Sequence, residues 1–228
     1  MKSRPIVEEF VLPTPEFEEI VLAPRLELGG RTSEEKIAGL ISLGRPIVMP
    51  VKSNAVRDKQ LSAFLAGEEE SSRFDLVHVV LSFHPSNELL ENVVVSLSLS
   101  HRGSPHIPAP IAWSLSPTKV TTSTSKVDRV GLTARLGIVS YQAGQTSQTS
   151  AEEPFLVAVG ERESDPEWRF TGTRRRPLVG VQALSTIVQA PVYVRVCADL
   201  LVAATVRGPV GLIRYRAELT HEYSHFEF

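Results

Sequence analysis

Residues Val93–Ser100 read VVVSLSLS, and the fold follows from how that octapeptide is understood. Val95, Leu97 and Leu99 fall at every second position, against Ser96, Ser98 and Ser100. A period of two puts one apolar row on one side of an extended chain and small hydroxyls on the other, the pattern of a strand with one face buried.

The same period runs outward in both directions. Val77, Val79, Leu81 and Phe83 line one side of Phe74–Phe83. Further strand candidates are Ile111–Leu115, Val130–Tyr141, Phe155–Glu161, Glu167–Thr171, Leu178–Gln189, Val192–Val206 and Gly211–Leu219. Gly, Pro, Ser and Thr separate them, so the pattern gives about nine short strands. A parallel sheet would need a helix between successive strands, and no linker here carries one. The expectation is a mainly β protein, an antiparallel β-sandwich with a small N-terminal helical elaboration.

That elaboration is expected in residues 1–72, packed on a sandwich spanning 73–228. Ile6–Leu12 and Phe17–Leu22 read as extended pieces. In RTSEEKIAGLISLG, Thr32 and Glu35 have capping-box spacing, and Ile37, Leu40 and Ile41 fall at i, i+3 and i+4, so a short helix ending at Gly44 is predicted. After the extended RPIVMPV, a second helix is predicted over Asn54–Ala66, with Val56, Leu61, Phe64 and Leu65 as its apolar side. Two Ser/Thr-rich linkers, Thr118–Asp128 and Gly144–Pro154, read as loops at one end of the sandwich.

Composition narrows the function classes. With 42% hydrophobic residues among 228, the chain can bury a full core. Its 24 basic and 26 acidic residues leave a net charge of −2, so no general attraction to nucleic acid or anionic lipid is expected. Cys197 is the single cysteine and has no partner for an intramolecular disulfide; with the charged start MKSRPIVEEF, this points to an intracellular, cytoplasmic setting. No apolar run approaches the ~20 residues of a membrane span.

Chemistry has one literal signature, HEYSH at His221–His225, which spells the H-E-x-x-H of zinc peptidases with His221, Glu222 and His225 in the motif positions. That motif works on a helix, where residues four apart share a face. Here it follows GLIRYRAEL, which alternates like a strand, and a continued strand would hold His221 and His225 ~13 Å apart. Only Phe226, Glu227 and Phe228 follow, so the usual downstream third ligand is missing. His78, His84, His101 and His106 would have to substitute. A zinc-dependent hydrolase is therefore the alternative reading, and no cofactor is expected. The same stretch reads better as a C-terminal arm anchored by Tyr223, Phe226 and Phe228.

Two other features are weaker. Arg174, Arg175 and Arg176 form a basic turn, with Trp168 close in sequence; together they suggest a local nucleic-acid or partner contact, arginines on phosphates and the indole stacking. Cys197 lies beside Arg195 on the polar side of VYVRVCADLLV, without a base in reach by sequence. No nucleophile elbow or phosphate loop occurs. The expectation is a non-enzymatic structural or interaction protein that assembles with itself or binds another protein through sheet edges, loops and arms; viral coat, matrix and movement proteins are the fold-level analogy. A nucleic-acid- or ligand-binding β module is the third possibility.

Overall fold

The computed structural model describes residues 15–25, 38–87, 89–103, 105–121, 154–207, 214–219 and 225–228. Before the helix come four short strands, β1 (Phe17–Glu19), β2 (Leu22–Arg25), β3 (Ile41–Gly44) and β4 (Ile47–Pro50). The helix α1 (Lys59–Glu68) leads into the long strands β5 (Ser72–Phe83) and β6 (Leu89–His101). Then follow β7 (Ile111–Ser116), β8 (Lys119–Val120), β9 (Leu156–Val159), β10 (Glu167–Thr171), β11 (Gly180–Pro191), β12 (Val196–Arg207), β13 (Arg214–Leu219) and β14 (His225–Glu227).

These strands form two antiparallel sheets, the sandwich that the alternation in Val93–Ser100 implies. One sheet has six strands in the order β1-β3-β5-β11-β7, with β4 also on β5. The other has eight, in the order β2-β13-β12-β6-β10-β9-β8, with β14 also on β12. Each sheet is centred on a pair of long strands, β5 with β11 and β6 with β12. The inward rows meet between the sheets: Val77, Val79, Leu81 and Phe83 from one, Val93, Val95, Leu97 and Leu99 from the other, all buried. Phe83 and Phe170 meet edge to face across this core with centroids 5.2 Å apart.

A second, smaller core lies on the outer face of the six-stranded sheet. Asp58 caps α1 by accepting from the amides of Gln60 and Leu61. Leu61 and Leu65 then turn down onto Phe74, Leu76, Trp113 and Ile187. Phe64 stacks on Trp113 at 5.6 Å, and Phe74 meets both rings edge-on. Leu61, Phe64 and Leu65 form this helix's apolar side as expected, whereas Val56 packs into the same cluster from the extended residues before it, because the helix begins at Lys59 after a 3-10 turn at Ser53–Ala55.

Two expectations for the first 72 residues need correction. The helix predicted to run to Gly44 is not helical at its end: Ile41–Gly44 is β3, paired with β5 through Ile41↔Phe83 and Leu43↔Leu81. Tertiary pairing with a long apolar strand outweighs the weak local helical spacing there. Nor does residue 72 bound an appendage. β1, β3 and β4 belong to one sheet and β2 to the other, so these residues are part of the sandwich. The strand predicted over Val130–Tyr141, and most of both Ser/Thr-rich linkers, lie outside the described residues.

One side of the sandwich is closed by the turn after β9. Gly160 has φ +84°, and a side chain there would sit 2.7 Å from the carbonyl of Asp165. The turn so formed bonds both sheets. Arg162 and Glu163 exchange hydrogen bonds with Ala112 of β7, while the carbonyls of Ser164 and Pro166 accept from Leu99 and Leu97 of β6. The free edge of β7 is thus bonded at Ala112 by this turn.

Candidate functional site

β12 runs along the eight-stranded sheet with its even positions inward: Val196, Ala198, Leu200 and Val202 are all at most 1% exposed. Its odd positions therefore point to the outer face, Cys197 and Asp199 among them. Antiparallel pairing sets β14 against this stretch, with Asp199↔His225, Ala198↔Phe226 and Cys197↔Glu227. Two polar pairs meet on the outer face as a result. The sequence C-x-D on one strand lies across from H-x-E on the other.

Contacts within this group are close. His225 Nδ1 lies 2.8 Å from Asp199 Oδ1, and its Nε2 lies 3.5 Å from Glu227 Oε1. Cys197 Sγ is 3.8 Å from the same Glu227 oxygen. Arg102 Nη2 reaches Glu227 Oε1 at 2.9 Å, and Arg195 Nη1 reaches Oε2 at 3.5 Å. The Asp199 carboxylate, then Glu227, raises the pKa of His225 above its ordinary value. His225 in turn lowers that of Glu227, with Arg102 and Arg195 adding to the effect.

The inward side of β14 anchors it. Phe226 and Phe228 stack at 6.0 Å and pack against the main core. Val196 and Phe228 exchange backbone hydrogen bonds of 2.8 and 3.0 Å. Arg73, from the other sheet, donates to the Phe228 carbonyl at 2.7 Å and lies over its ring. Beside it, burial raises the pKa of Asp75, partly offset by Arg73. β14 is not simply β13 prolonged. Seven residues separate Glu218 from His225, against four between their partners Ala203 and Asp199, so the register slips by three between the strands.

Of the zinc-peptidase string, His225 lies on a strand, while His221, Glu222 and the arm residue Tyr223 fall outside the described residues. His225 meets Cys197 instead, a neighbour that local sequence could not supply. The other described histidines on strands or at their ends are held by cross-strand or local bonds. His78 Nδ1 and Ser185 Oγ are 2.7 Å apart, with the two residues 7% and 4% exposed, and burial lowers the pKa of His78. His84 is 2.8 Å from the Ser42 hydroxyl, and His101 is 3.2 Å from the Ile107 carbonyl. A serine beside a histidine is a nucleophile and base only where substrate can reach the hydroxyl, and at Ser185 the sheet's own packing prevents this.

The arginine turn and its tryptophan do not form one surface. Arg174 and Arg175 are exposed in a turn closed by Thr173 and Arg176, and the Arg176 guanidinium lies 4.4 Å from the Phe155 ring centroid. Trp168, expected to stack on a base or at a partner surface, is instead 1% exposed. It pairs with Val95 on the inward row of β10, and period two turns Glu167 and Arg169 outward in its place. What sequence reasoning missed is that Asp199 and Glu227 meet His225, and that Arg102 and Arg195 meet Glu227. The signal was present as two period-two polar pairs, C-x-D and H-x-E, but nothing local aligns them. No protein-family model matches this chain, and no curated protein matches it.

Proposed function

We propose that this is a non-enzymatic interaction protein that joins a second copy of itself by strand addition at the edge of β12. The observation that carries the reading is β14. It is a three-residue strand, out of register with β13, that fills a stretch of β12's edge through backbone bonds and two phenylalanines. Strand addition uses main-chain bonds for affinity and alternate side chains for specificity, and Phe226 and Phe228 supply the second. A segment that binds its own sheet in this way fits the same groove on an identical chain, which gives a two-fold, self-complementary exchange.

Further support comes from the surroundings. The turn joining β11 to β12 lies beside this groove and exposes Tyr193 at 73% and Val192 at 47%, next to Arg195. Aromatic side chains and arginine are the residue types enriched where proteins meet. The serine–histidine pair at Ser185 and His78 is sealed within the fold, which gives hydrolysis no foothold there. Co-expression of two differently tagged copies tests the reading. Each tag is expected to recover the other copy, and Phe226→Ala with Phe228→Ala is expected to abolish recovery. Failure of the unaltered copies to recover one another overturns it.

A further inference from the structure

We propose that Cys197, His225 and Glu227 form a transition-metal site of the zinc class, with Asp199 orienting the histidine. The inference rests on the pairing of β12 with β14 and does not depend on self-assembly. The three side chains offer a thiolate, an imidazole nitrogen and a carboxylate oxygen that all lie within 4.8 Å of one another. That donor set suits zinc and its neighbours rather than calcium or magnesium.

Distances support a common ion. With metal bonds of about 2.3 Å to sulfur and 2.0 Å to nitrogen or oxygen, a tetrahedron has S···O and N···O edges of about 3.5 and 3.3 Å. The corresponding separations are 3.8 Å from Cys197 Sγ to Glu227 Oε1 and 3.5 Å from His225 Nε2 to the same oxygen. Shifts of a few tenths of an ångström bring these two edges to the required length. The third, from sulfur to nitrogen, lies within 4.8 Å and closes to about 3.5 Å by side-chain rotation, and all three side chains are on the outer face.

Asp199 supplies the second argument. Its carboxylate lies 2.8 Å from His225 Nδ1 and can only accept there, so Nδ1 carries the hydrogen. In the neutral imidazole the lone pair is then on Nε2, the nitrogen facing Glu227. A carboxylate behind a ligating histidine is the arrangement that fixes tautomer and ring direction in zinc proteins. Three protein ligands leave the fourth position open.

Arg102 competes for the same place. Its guanidinium meets Glu227 Oε1 at 2.9 Å, and Arg195 meets the other oxygen. Both arginine side chains are about three-quarters exposed, 77% and 74%, so they can turn to solvent when a dication takes the carboxylate. In the metal-free chain they neutralise it. A bound ion would tie β14 to β12 from the outer face, as Phe226 and Phe228 do from the inner one.

Titration of the metal-free full chain with Co²⁺, followed by displacement with Zn²⁺, tests the site. One Co²⁺ per chain is expected, with a thiolate-to-cobalt charge-transfer band and the intense visible bands of tetrahedral cobalt. Cys197→Ser should remove the charge-transfer band. Glu227→Gln, a nearly isosteric change at a half-buried position, should weaken binding at least tenfold, and Asp199→Asn should weaken it roughly 10–100-fold with the stoichiometry kept. His221→Ala and Glu222→Gln should leave both bands in place. Absence of the thiolate band in the unaltered chain overturns the proposal. So does binding that survives Glu227→Gln but is lost on His221→Ala, which would return the metal to the H-E-x-x-H string.

Discussion

The two sheets turn very different outer faces to their surroundings. The six-stranded sheet buries part of its outer face under α1, where Phe64, Phe74 and Trp113 interlock. Among the described residues no helix lies over β6 and β12 of the eight-stranded sheet, which carries Ser96, Ser98, Ser100, Cys197 and Asp199 in register there. One face is spent on packing. The other is left for polar chemistry, and β14, paired at the edge of β12, adds His225 and Glu227 to it. The contrast comes from composition alone: large apolar side chains on an outer row demand a lid, whereas serines leave the face in water.

Breaking the lid should cost the most. Trp113→Ala removes a ring held by two aromatic neighbours and by the Arg162 guanidinium 4.9 Å above it, and should destabilise by about 3–5 kcal/mol in chemical denaturation. Phe228→Ala acts on a half-buried side chain, so a loss of about 1–2 kcal/mol is expected. Its effect should be local: hydrogen exchange should quicken at Cys197–Asp199 and stay slow along β5. An equal rise in both would mean that β14 is integral to global stability.

The pH dependence sharpens the comparison on the packed side. Burial holds the pKa of His78 below 6.5, so on acidification from about that pH the unfolded chain takes up a proton that the folded chain refuses. Stability should therefore fall as pH drops below about 6.5, and His78→Asn should flatten that part of the profile. Asp75 works the other way. Its burial-raised carboxyl is protonated in the folded chain before the unfolded one as pH falls, so the difference between the parent and His78→Asn isolates the histidine. The smallest effect belongs to the open face. Ser100→Ala, at an exposed position, should change stability by no more than about 0.5 kcal/mol, and a cost near that of Trp113→Ala would erase the contrast between faces.

Much of this fold is legible in the sequence because period two is a property of each strand by itself. The alternation in Val93–Ser100 marks its inward and outward rows correctly, as it does for Phe74–Phe83. The helix at Lys59–Glu68 is legible for the same reason: its apolar positions all meet one surface. Ile41–Gly44 misled because four residues carry too little pattern to separate a helix end from a strand paired far along the chain. Trp168 misled because it lies on the inward row of β10, buried in the core, while Arg174 and Arg175 are exposed in a turn. The polar group around His225 was hidden for a converse reason: Cys197 and Glu227 lie 30 positions apart and meet only through a register that a slip of three residues sets.

On the proposed strand exchange, residues 221–228 are the piece by which one copy holds another. Size-exclusion chromatography with light scattering tests it most directly, comparing the full chain with one lacking residues 221–228 over a wide concentration range. The mass of the full chain should rise from monomer towards dimer with concentration, and the shortened chain should stay a folded monomer throughout. A full chain that remains strictly monomeric at the highest concentration, or a shortened chain that dimerises equally well, would rule out this exchange.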